Sequence, residues 1–277
     1  MRLIGFTAED GERWIAARDG DKARPLAPAG AFYADARRYL DRPTEELVDV
    51  ASLDLAPAVP ITARIFCVGI NYRSHAGESK ELAGLDEPAL PMIFGRWQQS
   101  LVVEGTPVPA PPNEAGLDWE VELAAVIGSP VWRGDEATAL DHVLGYAAFN
   151  DLSARRKQLE TPQFTIGKNA DLSGPISEIV TADEVGDISA GLRVTTHVNG
   201  ELMQDGNTRD LIHTVPRIIA YITDTLTLQP GDVIATGTPG GVGAGRKPPV
   251  FLTDGDEVVV TVEQVGSVRT PIVAPRD

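Results

Sequence analysis

The sequence predicts a mainly β, α+β architecture with a few short helices and a small N-terminal domain. Three observations carry this reading. Apolar runs at Ile65–Gly69, in the second half of Asp118–Ile127 and at Gly145–Asn150 have the length and content of buried strands. Asn199-Gly200 stands between two strand-like segments, where it supplies a type I′ hairpin turn. The helical stretches are short and scattered, without the regular strand and helix alternation of a Rossmann fold or a TIM barrel. With 277 residues, 43% of them hydrophobic, the chain can bury one large core with a small appendage.

Composition excludes several function classes. Forty acidic against 24 basic residues give a formal net charge of −16, so the phosphate-neutralising surface that nucleic acid or an anionic membrane needs is missing. Glu9, Asp10, Glu12 and Arg13 interrupt the apolar region a signal peptide requires, and no apolar stretch approaches the length of a membrane span. A cytoplasmic protein is expected. The single cysteine, Cys67, lies in the apolar run Ile65-Phe66-Cys67-Val68 and reads as a buried structural thiol.

Taken in order, residues 1–60 form the small unit. Leu3–Phe6 and Arg13–Ala17 suggest a hairpin across Asp10-Gly11, residues 31–40 and 44–50 suggest short helices, and the Pro-rich segment 55–60 marks the boundary. Residues 61–277 form the second domain. It begins with the strand Ile65–Gly69, followed by a Gly- and charge-rich surface segment that runs to Pro88. Strands follow at 91–95 and 101–107, then the strand 118–127, and then 145–150 with a helix after it. Later come the hairpin 192–204, an amphipathic helix over 216–225 led by Pro216, a turn at 229–232, the strand 233–235 and a second hairpin around Gly266-Ser267.

The chemistry gathers around Glu120-Val121-Glu122. A strand sends alternate side chains to one face, so these two carboxylates point the same way with Cα atoms roughly 6 to 7 Å apart. Such a pair either lies on a polar strand face in water or shares a hard divalent cation. Asp151, at the end of the 145–150 strand, is either a helix N-cap or, if the two strands are neighbours, a third oxygen ligand. His75 and Glu78 are three apart, which on a helix gives either a solvated pair or a catalytic dyad. Lys168, one of only five lysines, is either a surface charge or a donor to a substrate oxygen. The glycine-rich loop 236–245 has no Gly-Lys-Ser/Thr ending, so it is no P-loop; its amides and the hydroxyls of Thr236 and Thr238 are candidates for holding a carboxylate. His142 and His213 read as structural, and His197 as exposed.

Seven motifs, in this order, resemble the fumarylacetoacetate hydrolase family, in its acylpyruvase-like subgroup, over residues 62–275. They are Cys67-Val68-Gly69-Ile70-Asn71-Tyr72 with His75, Asp118–Leu123, Asn150–Arg155, Gly167-Lys168, Val198–Glu201, Gln229–Ile234, and Thr236-Gly237-Thr238-Pro239. The resemblance implies a mixed β-roll, usually a homodimer. It implies Glu120, Glu122 and Asp151 as ligands of Mg²⁺ or Mn²⁺, with Ca²⁺ also admissible. His75 and Glu78 would form a dyad on a lid, and Lys168 would stabilise charge beside the metal. Arg155, Gln158 and Thr238 would contact a small oxo-acid substrate.

The implied activity is hydrolysis of a C–C bond in an acylpyruvate- or fumarylpyruvate-type β-dicarbonyl acid. Decarboxylation of oxaloacetate-like acids, or isomerisation or hydration of 2-hydroxyhepta-2,4-diene-1,7-dioate-type acids, could use the same site, and a non-catalytic metal- or metabolite-binding protein is the rival from another class. Arg96 stands where many members have Lys, Arg156 where many have Asp, and Asn169-Ala170 where many have Ser-Phe. Together with Trp97, the lost Asp suggests a pocket altered for a larger or less acidic substrate.

Overall fold

The computed structural model describes residues 1–41, 46–84 and 86–276. The chain opens on an antiparallel meander of β1 (Arg2–Thr7), β2 (Arg13–Asp19) and β3 (Lys22–Pro28). Helices α1 (Ala29–Ala34) and α2 (Ala36–Asp41) and the short strands β4 (Val48–Asp49) and β5 (Asp54–Ala56) follow. The first turn falls at Asp10-Gly11, where Gly11 takes φ +84°, a conformation that costs glycine little. The helix expected over 31–40 is two, interrupted at Asp35, whose φ of −156° is extended.

The helix expected over 44–50 does not form where it can be seen. Thr44 and Glu45 lie outside the described residues, Val48–Asp49 pairs with Lys22–Ala23, and Val50–Ser52 makes one 3₁₀ turn. β-branched Val48 packs well on a pleated edge and loses more rotamer freedom in a helix.

Beyond residue 60 come β6 (Ile65–Gly69), α3 (Arg73–Ala83), β7 (Met92–Arg96), β8 (Leu101–Val102), β9 (Val108–Pro109), β10 (Val121–Ile127), β11 (Val143–Asn150) and α4 (Arg155–Leu159). After them stand β12 (Gly174–Pro175), β13 (Ile179–Thr181), α5 (Ala182–Val185), β14 (Arg193–Val198), β15 (Glu201–Asn207), α6 (Val215–Thr223), β16 (Val233–Ala235), β17 (Glu257–Val262) and β18 (Gly266–Val273). The stretch read as an irregular surface segment is therefore helical as far as Ala83. It ends at Gly84, which has φ 68° and donates its N–H to the Lys80 carbonyl at 3.0 Å.

The large sheet runs β4-β3-β2-β1-β13-β11-β10-β16-β6-β7, with β5 also on β1, so the first 60 residues share a sheet with the rest of the chain. β10 is antiparallel to β11 and β16, while β16 is parallel to β6, which makes the sheet mixed. A second sheet, β15-β14-β17-β18-β9, contains both expected hairpins.

Every residue of β10 is buried, because both of its faces are covered. On one face Val121, Leu123 and Ala125 join a core with Val194, Val260 and Ile219 from the second sheet and α6. On the other, Ala124 and Val126 share a core with Leu3, Ile15, Phe32 and Cys67, so the large sheet curls over and encloses this core itself. That double burial is why the second half of 118–127 is an unbroken apolar run rather than an alternating one. Cys67 is fully buried, as expected, and burial together with the nearby Asp151 and Glu122 carboxylates pushes its thiol well above the usual range. Among the described residues no helix is long and apolar enough to cross a membrane.

The pairing of β11 with β13 leaves no room for a side chain at Gly145. A Cβ there would lie 2.2 Å from the Val180 carbonyl oxygen and 2.9 Å from the Thr181 Cα, both rigid backbone atoms. Gly145→Ala should cost about 1–3 kcal/mol and lower the melting temperature by several degrees, measured by circular dichroism. An unchanged melting temperature would contradict this register.

Candidate active site

The site forms where β10 begins and β11 ends. Register pairs Val121 with Asn150, and the next step outward brings Glu120 opposite Asp151, whose N–H donates to the Glu120 carbonyl at 2.9 Å. The strands are neighbours, which is the arrangement the third-ligand alternative requires of Asp151. It is not an N-cap, since α4 starts only at Arg155 and its cap position is Ala154. Carboxylate oxygens of Glu120, Glu122 and Asp151 all lie within 4.8 Å of one another, and all three residues are buried. The polar-face-in-water alternative for Glu120 and Glu122 is thereby excluded.

Three cations make this cluster tolerable. Lys168 Nζ, itself buried, donates to Glu120 Oε2 at 2.8 Å and to Asp151 Oδ2 at 2.7 Å. Arg155 Nη2 lies 2.6 Å from Glu120 Oε1 as an ion pair outside good hydrogen-bond alignment, and Arg96 Nε donates to Asp151 Oδ1 at 2.8 Å. Burial alone would raise the Glu120 carboxyl, but Lys168, Arg155 and His75 outweigh it and hold it down at about 2. Among the described residues Glu122 has only the Gly237 N–H, donating at 2.8 Å, as a direct partner. Burial and the neighbouring Asp151 and Glu120 charges push its carboxyl well above the usual range. Three converging oxygen donors, one of them short of positive charge, suit a hard divalent cation and would suit a soft one poorly.

Arg96, one of the departures from the family pattern, has a fully buried side chain. Its remaining donors reach Ser100 Oγ at 3.1 Å, Ser173 Oγ at 2.9 Å and the Leu152 carbonyl at 2.8 Å. It fixes Asp151 from behind. The other departures stand outside the cavity lining. Trp97 is 53% exposed and outside the cavity, and Arg156 points to solvent, bonding the Asn113 carbonyl and Glu160. Asn169 links Trp97 N–H, at 2.6 Å, to the Thr165 carbonyl, also at 2.6 Å.

The dyad residues meet as helical spacing requires, His75 Nδ1 lying 3.2 Å from Glu78 Oε2 on α3. His75, Arg155, Gln158, Lys168, Thr238 and Glu120 line one cavity of about 60 Å³. Gln158 accepts from Arg155 Nη1 at 2.8 Å, and Thr238 accepts from Gln204 Nε2 at 2.9 Å.

The glycine-rich loop departs from expectation. Its amides do hold carboxylates, but the protein's own. Gly237 donates to Glu122, Gly241 to Glu78 Oε1 at 2.7 Å, and Gly243 and Ala244 to Asp118 at 2.6 and 2.9 Å, while Gly240 donates to Ser74 Oγ at 3.1 Å. Thr236 Oγ1 is engaged with the Leu123 carbonyl at 2.8 Å.

Sequence reasoning gave no role to three buried residues that order the site. Asp118 ties the loop to Arg155 Nε at 2.7 Å. Gln204 joins Val121 N–H to Thr238 and the Pro239 carbonyl. Asn71 clamps His213 and Thr236 backbone groups. Asp118 and Asn71 sit inside quoted motifs, which was the available signal; nothing local singled out Gln204.

Of the remaining histidines, His142 bonds Ser129 Oγ at 2.9 Å and His213 the Pro88 carbonyl at 3.3 Å, both structural as expected. His197 is half-buried rather than exposed, because β14 is paired on both sides.

Comparison with known proteins agrees with this architecture. Residues 64–273 match the model of the fumarylacetoacetate (FAA) hydrolase C-terminal family. A relative from Burkholderia multivorans, known only by the general name hydrolase, is 42% identical over 83% of this chain and 80% of its own. The structure of a fumarylacetoacetate hydrolase from Exiguobacterium antarcticum is similar at TM-score 0.80 and 32% identity, covering 99% of each chain. A 2-hydroxyhepta-2,4-diene-1,7-dioate isomerase from Mycobacterium marinum is similar at TM-score 0.78 and 33% identity, covering 100% of each chain. The motifs, the β-rich fold and these likenesses together identify the chain as a member of the fumarylacetoacetate hydrolase family.

Proposed function

We propose that this protein is a Mg²⁺- or Mn²⁺-dependent hydrolase that cleaves a C–C bond in a β-dicarbonyl acid of the acylpyruvate type, acting as a cytoplasmic homodimer. The observation that supports it is a buried three-carboxylate cluster whose Glu120 lines the same cavity as His75, the imidazole of the His75–Glu78 pair. Glu120, Glu122 and Asp151 would hold the ion, which when bound supplies a Lewis acid for the substrate's enolisable oxygens.

The residues then divide the work. Glu78 accepts from His75 Nδ1–H and leaves Nε2 as the base that takes a proton from water. The hydroxide adds to the carbonyl remote from the acid, and collapse of the adduct breaks the C–C bond. The electron pair leaves as an enolate, which regains a proton from His75. Lys168 Nζ, fixed by Glu120 and Asp151, stands where it can donate to the oxygen that gathers charge. Arg155, Gln158 and Thr238 orient the acid end.

His75 on α3 forms part of the cavity wall, so α3 would swing out for substrate entry. On return, the loop amides of Gly240 and Gly241 would recapture Ser74 and Glu78. The isomerase reading keeps one specific support, the name of the M. marinum structure. Product analysis separates them: a carboxylic acid plus pyruvate from an acylpyruvate for the hydrolase, an isomeric dioate for the isomerase.

His75→Ala should lower kcat about 10²–10⁴-fold with the melting temperature unchanged, followed as loss of enol absorbance of a 2,4-dioxo acid. Full turnover by the variant would remove His75 from the mechanism.

Metal binding should also depend on pH with a definite sign. The Glu122 carboxyl is raised, so the stability it contributes to the metal-free protein is present below an ordinary carboxyl pKa, about 4.3, and is lost as pH rises through the raised value. Glu120, held at about 2, works oppositely and only below its own ordinary range. Added Mg²⁺ neutralises the ionised cluster, so the rise in melting temperature it produces should be larger near pH 8 than near about pH 5.5. A shift that is equal or reversed would count against this cluster as the metal site.

A further inference from the structure

Beyond Lys168 the cavity changes character. The Lys168 ammonium sits 5.4 Å from the centroid of the Phe94 ring, and Phe94 meets Phe164 edge to face at 5.7 Å. Gly69 lies against both rings: a Cβ there would be 3.7 Å from Phe94 Cε1 and 3.6 Å from Phe164 Cε2. Both phenylalanines are half-buried, and Leu159, at the end of α4, is 48% exposed where the cavity reaches solvent. A path therefore leads from the carboxylate cluster past Lys168 to an aromatic wall and an aliphatic rim.

The cations along this path, Lys168 and Arg155, are ion-paired within the carboxylate cluster and serve the reacting end. Lys168 is held by Glu120 and Asp151, and Arg155 by Asp118 and Glu120, at 2.6–2.8 Å. No other described Lys or Arg lines the cavity. A second carboxylate on the substrate's far end would be desolvated against two phenyl rings without a counterion, a costly placement. An alkyl or aryl group there would instead remove apolar surface from water.

We infer that the substrate carries one carboxylate and an apolar acyl tail, and that Phe94, Phe164 and Leu159 select that tail. This rests on the C–C hydrolase reading for the reacting end, and it separates the chain from the M. marinum relative, which is named for a dioate.

The test uses two 2-oxo acids with the same chelating end and no 4-carbonyl, so that neither is cleaved: 2-oxo-4-phenylbutanoate and 2-oxoadipate. With Mg²⁺ present, calorimetric titration should give at least about tenfold tighter binding of the phenyl compound, and Phe164→Arg should reverse the preference. Equal affinities, preference of the native protein for 2-oxoadipate, no binding of either, or an unchanged ratio in a folded Phe164→Arg protein would each overturn the assignment. Turnover of 4-phenyl-2,4-dioxobutanoate is scored separately. Its absence alongside the expected binding preference would refute the hydrolase reading and leave the tail assignment standing.

Discussion

Crowding three carboxylates into a space without water is the constraint around which this molecule is arranged. At an oxygen separation of under 5 Å, like charges in a protein interior repel by several kcal/mol. The chain answers with a fixed set of cations. Lys168 bridges Glu120 and Asp151, Arg155 lies against Glu120, and Arg96 braces Asp151 from the opposite side. Among the described residues Glu122 is left with a single backbone amide, and its carboxyl is the one forced upward. The asymmetry matters, because a site fully neutralised by its own side chains would gain little from a divalent ion.

The surrounding structure keeps these charges aligned. Burial of β10 on both faces holds Glu122, with Glu120 just before the strand, and pairing with β11 sets Asp151 beside them. The glycine-rich loop then acts as an internal clamp. Its amides hold Glu122 in the cluster, Asp118 behind Arg155, and Glu78 behind His75. One loop thus connects the carboxylate cluster, Arg155 through Asp118, and the His75–Glu78 pair on α3.

Much of this was legible in the residues. Period-2 spacing put Glu120 and Glu122 on one face, three-residue spacing put His75 beside Glu78, and Asn199-Gly200 marked its hairpin. The misreadings have physical causes. Glycines at 77 and 84 suggested irregular chain, but one is tolerated within α3 and the other terminates it. Residues Val48–Asp49 become a strand because β3 offers them a free edge. Trp97 and Arg156 stand out as departures from the family pattern, yet both side chains are about half exposed and neither lines the cavity.

Local pattern determined the strand-rich class, the anionic character and the identity of the candidate ligands, since alternation, turn chemistry and composition act over a few residues. Only the tertiary structure decided that Asp151 stands opposite Glu120, that Gln204 reaches Thr238, and that Phe94 and Phe164 share a wall. Those meetings join segments far apart in the chain. They depend on strand order and register, which no short stretch of sequence encodes.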